Sequence, residues 1–168
     1  MSQHWLEPDW KPETSISSIP IKHFIDKGIK ALVLDVDGTL LHSREVELDA
    51  TTKNWVEEAK LHLIIHLLSN NPSRKRIGNV AKQLNISYTY AAAKPRRNAL
   101  RFLLKRLKLN PKDIAIIGDR VFTDVLAGNR LGVYTVLVQP IDRKGRAINK
   151  DNVQRLEQTI ARWLGAKQ

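Results

Sequence analysis

The alternation of short apolar runs with amphipathic stretches predicts an α/β protein built on a parallel sheet. Two further observations support that class. The runs at 31–36 and 63–68 are apolar along nearly their whole length, as strands covered on both faces are. Acidic or hydroxyl residues follow several of the runs directly, at the strand ends where open α/β sheets bind ligands.

The elements follow in order. The first strand is 31–36. Asp49 caps a helix to about residue 60, in which Trp55, Val56 and Ala59 recur at helical spacing. The second strand is 63–68. Asn71, Pro72 and Ser73 open a helix to about residue 84, with Pro early, where helices tolerate it. A weaker strand at 87–91 precedes a helix from Pro95 to about residue 107, ended by Asn110 and Pro111. The fourth strand is 114–117, followed by a helix near 123–131 that Gly132 terminates. The fifth is 133–138. Residues 141–150 read as a polar, basic loop. Asp151 then caps a last helix whose Val153, Leu156, Ile160, Trp163 and Leu164 form one stripe expected to pack on the core. Ahead of the first strand, Ile16, Ile19, Ile21, Phe24 and Ile25 predict a short helix ended by Gly28. One domain is expected over 1–168, with its core at about 30–140, a packing segment at 1–29 and a terminal helix at 151–165.

Composition narrows the chemistry. The 168 residues contain no cysteine, which excludes disulfides, thiolate zinc sites and a Cys nucleophile. No stretch approaches the ~18 apolar residues of a transmembrane helix, and the first residues lack a signal peptide's basic start and apolar run. A cytoplasmic protein, or one loosely attached to a surface, is expected. The net charge is +11, and 74–112 holds twelve Lys/Arg with no Asp or Glu. A field of that sign favours an anionic partner. No zinc, RNA-recognition or aromatic-interleaved basic motif points to nucleic acid.

Four groups of residues carry chemistry. Asp35 and Asp37, in Asp-Val-Asp-Gly-Thr after the first strand, fall on the same side of an extended chain. Two such carboxylates are costly to bury without a cation or a shared proton. Ser69 ends the second strand before a helix start, where a hydroxyl and backbone N–H groups cradle phosphate. Lys94, after the third strand, is a candidate counter-charge for a phosphoryl group. Asp119, after the fourth, offers the carboxylate that Mg²⁺ prefers, with Asp124 supporting it from the next helix. The five histidines show no metal-ligand clustering.

In this order the motifs resemble those of the haloacid dehalogenase superfamily of phosphatases: Asp35-x-Asp37-Gly-Thr, Ser69, Lys94-Pro, and Gly118-Asp119-x₄-Asp124. The surrounding sequence, at 29–41 and 123–130, is similar to the YqeG-type subfamily of class IIIA, akin to phosphatidylglycerophosphate phosphatases. The resemblance implies a Rossmann-like sheet in strand order 5-4-1-2-3. It implies Asp35 as nucleophile and Asp37 as general acid/base, with crowding and burial keeping Asp37 protonated at the start. It further implies Mg²⁺ held by Asp35, the Asp37 carbonyl and Asp119. Thr39, Ser69, Asn70 and Lys94 are the implied phosphoryl ligands.

About 23 residues separate Leu40 from Ile64, too few for a cap domain over the site. An open site suits a large or surface-embedded substrate. Phosphatidylglycerophosphate at a membrane face, met through the basic 74–112 surface, is therefore expected; Trp5 and Trp10 either add interfacial anchoring or simply pack on the domain. A phosphatase of a soluble metabolite or nucleotide is the alternative. A receiver-type signalling module also sets acidic, hydroxyl and Lys groups at strand ends, but places its acceptor Asp at the third strand.

Overall fold

A computed structural model describes residues 5–148 and 152–163, except the side chains of Asn152, Val153 and Trp163. Five parallel strands form one sheet: β1 (Ala31–Leu34), β2 (Ile64–Leu68), β3 (Ser87–Thr89), β4 (Ile114–Gly118) and β5 (Tyr134–Leu137). Their order is β3-β2-β1-β4-β5. This is the expected Rossmann-like order read from the other edge. α1 (Ile21–Asp26) precedes them, α2 (Ala50–Lys60), α3 (Arg74–Leu84), α4 (Asn98–Leu107) and α5 (Leu126–Asn129) run between them, and α6 (Asn152–Trp163) follows.

The period-two alternation of a strand divides the core into two layers. Leu32, Leu34, Ile65, Leu67, Ala115 and Ile117 face a cluster with Phe24, Trp55, Val56, Ile77 and Leu84 from α1, α2 and α3. Ala31, Val33, Leu68, Ile114 and Ile116 face Leu100, Leu103 and Leu104 of α4. Each large apolar side chain so buried contributes roughly 1.5–3 kcal/mol.

Asp49 caps α2 as its sequence predicts, accepting from Thr52 N–H at 3.0 Å. Ser73 caps α3, accepting from Arg76 N–H at 3.1 Å, so Pro72 lies outside the helix. The helix expected from Pro95 begins at Asn98, because the chain first turns to deliver Lys94. The helix expected near 123–131 is a π-helical turn, Val121–Val125, continued by the short α5.

One expectation about a surface element is corrected. In α6, Leu156 is 60% and Ile160 39% exposed, whereas Gln154, Gln158 and Ala161 are buried. Polar contact decides the helix's rotation: Gln154 Nε2 donates to the Asp119 and Val138 carbonyl oxygens. Asp151 and Leu164 lie outside the described residues, as do the Val153 and Trp163 side chains. Trp10 is no anchor. It stacks on His23 with centroids 3.8 Å apart, and its backbone bonds Thr135 and Leu137 along the edge of β5. Trp5 is 47% exposed.

Candidate active site

Loops at the carboxyl ends of the strands build the site. Beyond β1, Asp35 N–H still donates to Ile117 O at 2.9 Å, so Asp35 stays in register with the sheet. The chain then turns sharply, with Thr39 N–H and Leu40 N–H both donating to Val36 O. Gly38 sits at φ +87°, and a Cβ there would lie 2.6 Å from Asp119 Oδ2. Glycine is thus demanded twice, by handedness and by the approach of Asp119.

At the centre lies an acidic cluster with a lysine set into it. Asp35, Asp119 and Asp124 each present a carboxylate oxygen within 4.8 Å of the others. Lys94 Nζ donates to Asp35 Oδ1 at 2.9 Å, to Asp124 Oδ1 at 2.6 Å and to Leu68 O at 2.6 Å. Side-chain exposure is 2% for Lys94 and 1% for Asp124 but 12% for Asp35, the member turned toward solvent. The sequence expects Asp124 only in support of Asp119; the structure groups its carboxylate with the other two.

Asp35 and Asp124 share the one Lys94 ammonium and Asp119 has Arg120 at 3.6 Å, so the three clustered carboxylates still repel one another in a low-dielectric place. Burial pushes Asp35 up to about 6 against the pull of Lys94, and Asp124 adds to the rise. Burial, then Asp35 and Asp124, hold Asp119 well above the ordinary carboxylate range, with Arg120 opposing. Burial would lower Lys94, but Asp124 and Asp35 outweigh it and raise that group. Buried, mutually repelling oxygens of this kind form the donor set that a hard divalent cation relieves.

The remaining residues hold this centre in place. Asn70 clamps the Lys94 backbone: its Nδ2 donates to Lys94 O at 2.8 Å and its Oδ1 accepts from Lys94 N–H at 2.7 Å. Its side-chain amide is therefore committed to the Lys94 backbone, which leaves the Asn70 backbone N–H for the expected phosphoryl contact. The Thr39 side chain is likewise committed: it is fully buried and donates to Asp119 Oδ1 at 3.2 Å. Ser69 Oγ accepts from Asn71 N–H at 3.1 Å. Ala91 and Ala93, flanking the turn before Lys94, hold φ of +48° and +56°. Such strain in non-glycine residues gathers at functional sites.

Asp37 departs from expectation. Its side chain, 25% exposed, lies in an ion pair with Arg76 rather than crowded against Asp35. Arg76 Nε and Nη2 both donate to Oδ1, at 3.1 and 2.7 Å, and Asn71 Nδ2 donates to Oδ2 at 2.9 Å. The burial and charge crowding anticipated for Asp37 fall on Asp35 and Asp119. Arg76 and Gln154 were not singled out in the sequence. Arg76 is one of twelve basic residues in its stretch, and a glutamine far along the chain carries no motif.

The basic run at 74–112 does not form one patch. Arg74, Lys75, Arg96 and Arg97 precede or open α3 and α4, at the end of the sheet that carries the site. Lys108 and Lys112 lie between α4 and β4, at the opposite end. Arg44 and Lys144, from the loops after β1 and β5, add positive charge at the site end, while Arg143 and Arg146 beside them are paired with Glu45 and Asp142. Among the described residues no helix is long and apolar enough to cross a membrane.

Comparison with known proteins agrees with the geometry. Residues 91–152 match a family described as HAD-hydrolase-like. The chain is 31% identical over 129 residues to a probable phosphatase, YqeG, of Bacillus subtilis, covering 77% of this chain and 75% of that protein. It is 26% identical over 148 residues to an Arabidopsis thaliana phosphatidylglycerophosphate phosphatase, covering 82% of this chain but 42% of that protein. A 3-deoxy-D-manno-octulosonate 8-phosphate phosphatase from Moraxella catarrhalis, solved with magnesium and phosphate ions, shares the fold. Its TM-score is 0.52 at 16% identity, over 85% of this chain and 92% of that one. With the acidic cluster at the strand ends, the conclusion is that the chain belongs to the haloacid dehalogenase superfamily, in the family of the probable phosphatase YqeG.

Proposed function

We propose that the protein is a Mg²⁺-dependent phosphomonoesterase acting through an aspartyl phosphate on Asp35, with phosphatidylglycerophosphate at a membrane surface as its substrate. The observation that carries the chemistry is the placing of Asp35 in a cluster of three carboxylates, two of which, Asp35 and Asp124, hold the Lys94 ammonium. The donor set fits the cation. Asp35, Asp119 and Asp124 supply hard oxygen donors whose burial and mutual repulsion call for positive charge. Asp37 adds its backbone carbonyl. Bound there, Mg²⁺ neutralises charge between the nucleophile and the phosphoryl oxygens.

The residues divide the work. A carboxylate oxygen of Asp35 forms the new bond to phosphorus as the bond to the leaving alkoxide breaks, splitting one hard step into two. Asp37 gives the alkoxide a proton, then takes one from the water that attacks the aspartyl phosphate, which restores the Asp35 carboxylate and frees phosphate. Lys94, the Ser69 hydroxyl and the Asn70 backbone N–H bind the transferring oxygens, the positioning on which such transfer chiefly relies.

The lipid substrate is supported by the similarity to phosphatidylglycerophosphate phosphatases and by the basic rim. Basic residues near an anionic bilayer contribute roughly 1 kcal/mol each. The loop from Leu41 to Asp49 is short, which leaves the mouth open to a substrate still seated in a bilayer. Exposed Tyr90 directly follows β3, at the site end of the sheet. The test is phosphate release from phosphatidylglycerophosphate in mixed micelles, soluble sugar phosphates, nucleotides and p-nitrophenyl phosphate, with Mg²⁺ or EDTA, for wild type and Asp35→Asn. Mg²⁺-dependent turnover favouring the lipid and abolished by the substitution is expected. Preference for a soluble ester would keep the mechanism and remove the lipid.

A further inference from the structure

Arg76 lies outside the four motifs, yet it makes the shortest contact to Asp37. Its guanidinium is shared between Asp37 and the loop that follows the first motif: Nη1 donates to Glu45 O at 2.6 Å and Nη2 reaches His42 O at 3.4 Å. Arg76, Asn79 and Gln83 stand three and four residues apart on α3, and so on one face of it. All three hold that loop. Gln83 Nε2 donates to Val46 O at 2.8 Å, Gln83 Oε1 accepts from Leu48 N–H at 3.0 Å, and Asn79 Nδ2 reaches Val46 O at 3.5 Å. The loop is thus strapped along α3, and the strap ends at Asp37.

Asp37 needs such a support. Its side chain is a quarter exposed and follows a strand end. Repulsion from the three clustered carboxylates would turn a free carboxyl group outward. A carboxylate in water samples several rotamers, whereas proton transfer demands a heavy-atom approach of roughly 2.6–3.2 Å. Two donors from Arg76 on one oxygen and one from Asn71 on the other leave a single orientation. We propose that Arg76 is a positioning residue for the reaction: it fixes the Asp37 carboxyl group on the leaving-group side of Asp35 and couples that placement to the loop 42–48. This rests on Asp37 being the general acid, as proposed above.

Leaving-group chemistry tests it. An alkoxide needs a proton as it departs, while p-nitrophenolate leaves without one. Single-turnover release of the leaving group, with enzyme in excess, isolates this step from the later hydrolysis. Wild type, Asp37→Asn, Arg76→Gln and Arg76→Lys are compared on glycerol phosphate and on p-nitrophenyl phosphate. The expected result for Arg76→Gln is a loss on the order of 10²-fold for glycerol phosphate, with a loss several-fold or less for p-nitrophenyl phosphate. Arg76→Lys, which keeps the charge but loses the fork, falls between; it also serves if the Gln variant fails to fold. Equal losses on both substrates, an effect on KM alone, or a gain on glycerol phosphate would overturn the inference. Asp37→Asn separates the two levels. If it discriminates between the substrates and the Arg76 variants do not, the inference alone fails; if it does not discriminate, the acid role of Asp37 fails with it.

Discussion

The Lys94 ammonium lies 2.6 Å from Asp124 Oδ1, with both side chains almost wholly buried. Asp35 shares the same ammonium at 2.9 Å. Lys94 is thus a fixed internal counter-ion for the acidic cluster as well as a candidate phosphoryl ligand. Replacing it by Met leaves Asp35 and Asp124 without their buried counter-charge, and breaking a buried pair from one side costs about 3–5 kcal/mol. Lys94→Met should lower the urea-unfolding free energy by about that much in EDTA, recover part of it with Mg²⁺, and lose phosphatase activity on every ester. A stability equal to wild type in EDTA would show that the cluster needs no counter-charge.

Asp35 yields a prediction of opposite sign. Its acid range is raised from 3.8 to about 6 in the folded chain. The folded state therefore binds the proton more tightly than the unfolded state, so this group's contribution to stability falls as pH rises from about 4 to 6. Above that window the cost is about 3 kcal/mol, at 1.36 kcal/mol per pH unit. Asp35→Asn removes the charge. In EDTA it should be more stable than wild type by about that amount at pH 7.5 and equal to it near pH 4. Saturating Mg²⁺ should shrink or reverse the difference. Urea melts at several pH values measure it, and a variant less stable than wild type at pH 7.5 in EDTA would show that the buried charge costs nothing.

His66 acts in the other direction over an overlapping range. It is buried in β2, between Ser87 Oγ at 2.6 Å and Thr89 Oγ1 at 2.9 Å. Burial, aided by Arg106, lowers it from 6.5 to about 4. The unfolded chain then binds the proton more tightly, so stability is lost as pH falls from about 6.5 to 4, by at most about 3 kcal/mol. His66→Gln keeps hydrogen-bonding capacity without titrating. The stability difference between it and wild type should shift by that amount across the window, since distant titrations cancel in the comparison. A difference independent of pH would place the imidazole's proton affinity at its ordinary value.

The strands and the strand-end motifs were legible because both follow from periodicity and spacing, whereas the strand order came from the family resemblance those motifs carry. Apolar runs name doubly covered strands, and Asp35, Ser69, Lys94 and Asp119 each follow one. Illegible were the partners supplied by side chains remote in sequence. Nothing local marks Arg76 as the one base of its run that reaches Asp37, 39 residues away. Nor does local sequence show that Asn70 spends both ends of its amide on Lys94. The α6 stripe failed for a related reason. Helical periodicity shows that an amphipathic face exists, but the contact of Gln154 with Asp119 O decided which face turned inward.

Gly118 offers the sharpest test of how tightly the cluster is built. A Cβ at this position would fall inside van der Waals contact of Asp124 Oδ2, Cγ and Cβ, so Gly118→Ala must displace the Asp124 side chain. That side chain has little room to move. It is buried, Lys94 takes Oδ1, and Arg120 N–H donates to Oδ2 at 3.3 Å. Overpacking of this kind costs about 1–3 kcal/mol. The site should suffer more than the fold, because displacement pulls one carboxylate out of the donor set and loosens Lys94 with it. Gly118→Ala should keep a cooperative unfolding transition, lower Mg²⁺ affinity by tenfold or more in calorimetric titration, and depress kcat on p-nitrophenyl phosphate by on the order of 10²-fold. Asp124→Ala in the same background makes room for the new methyl group. It should restore stability relative to Gly118→Ala without restoring activity. Recovery of both would mean that Asp124 only fills space beside Gly118.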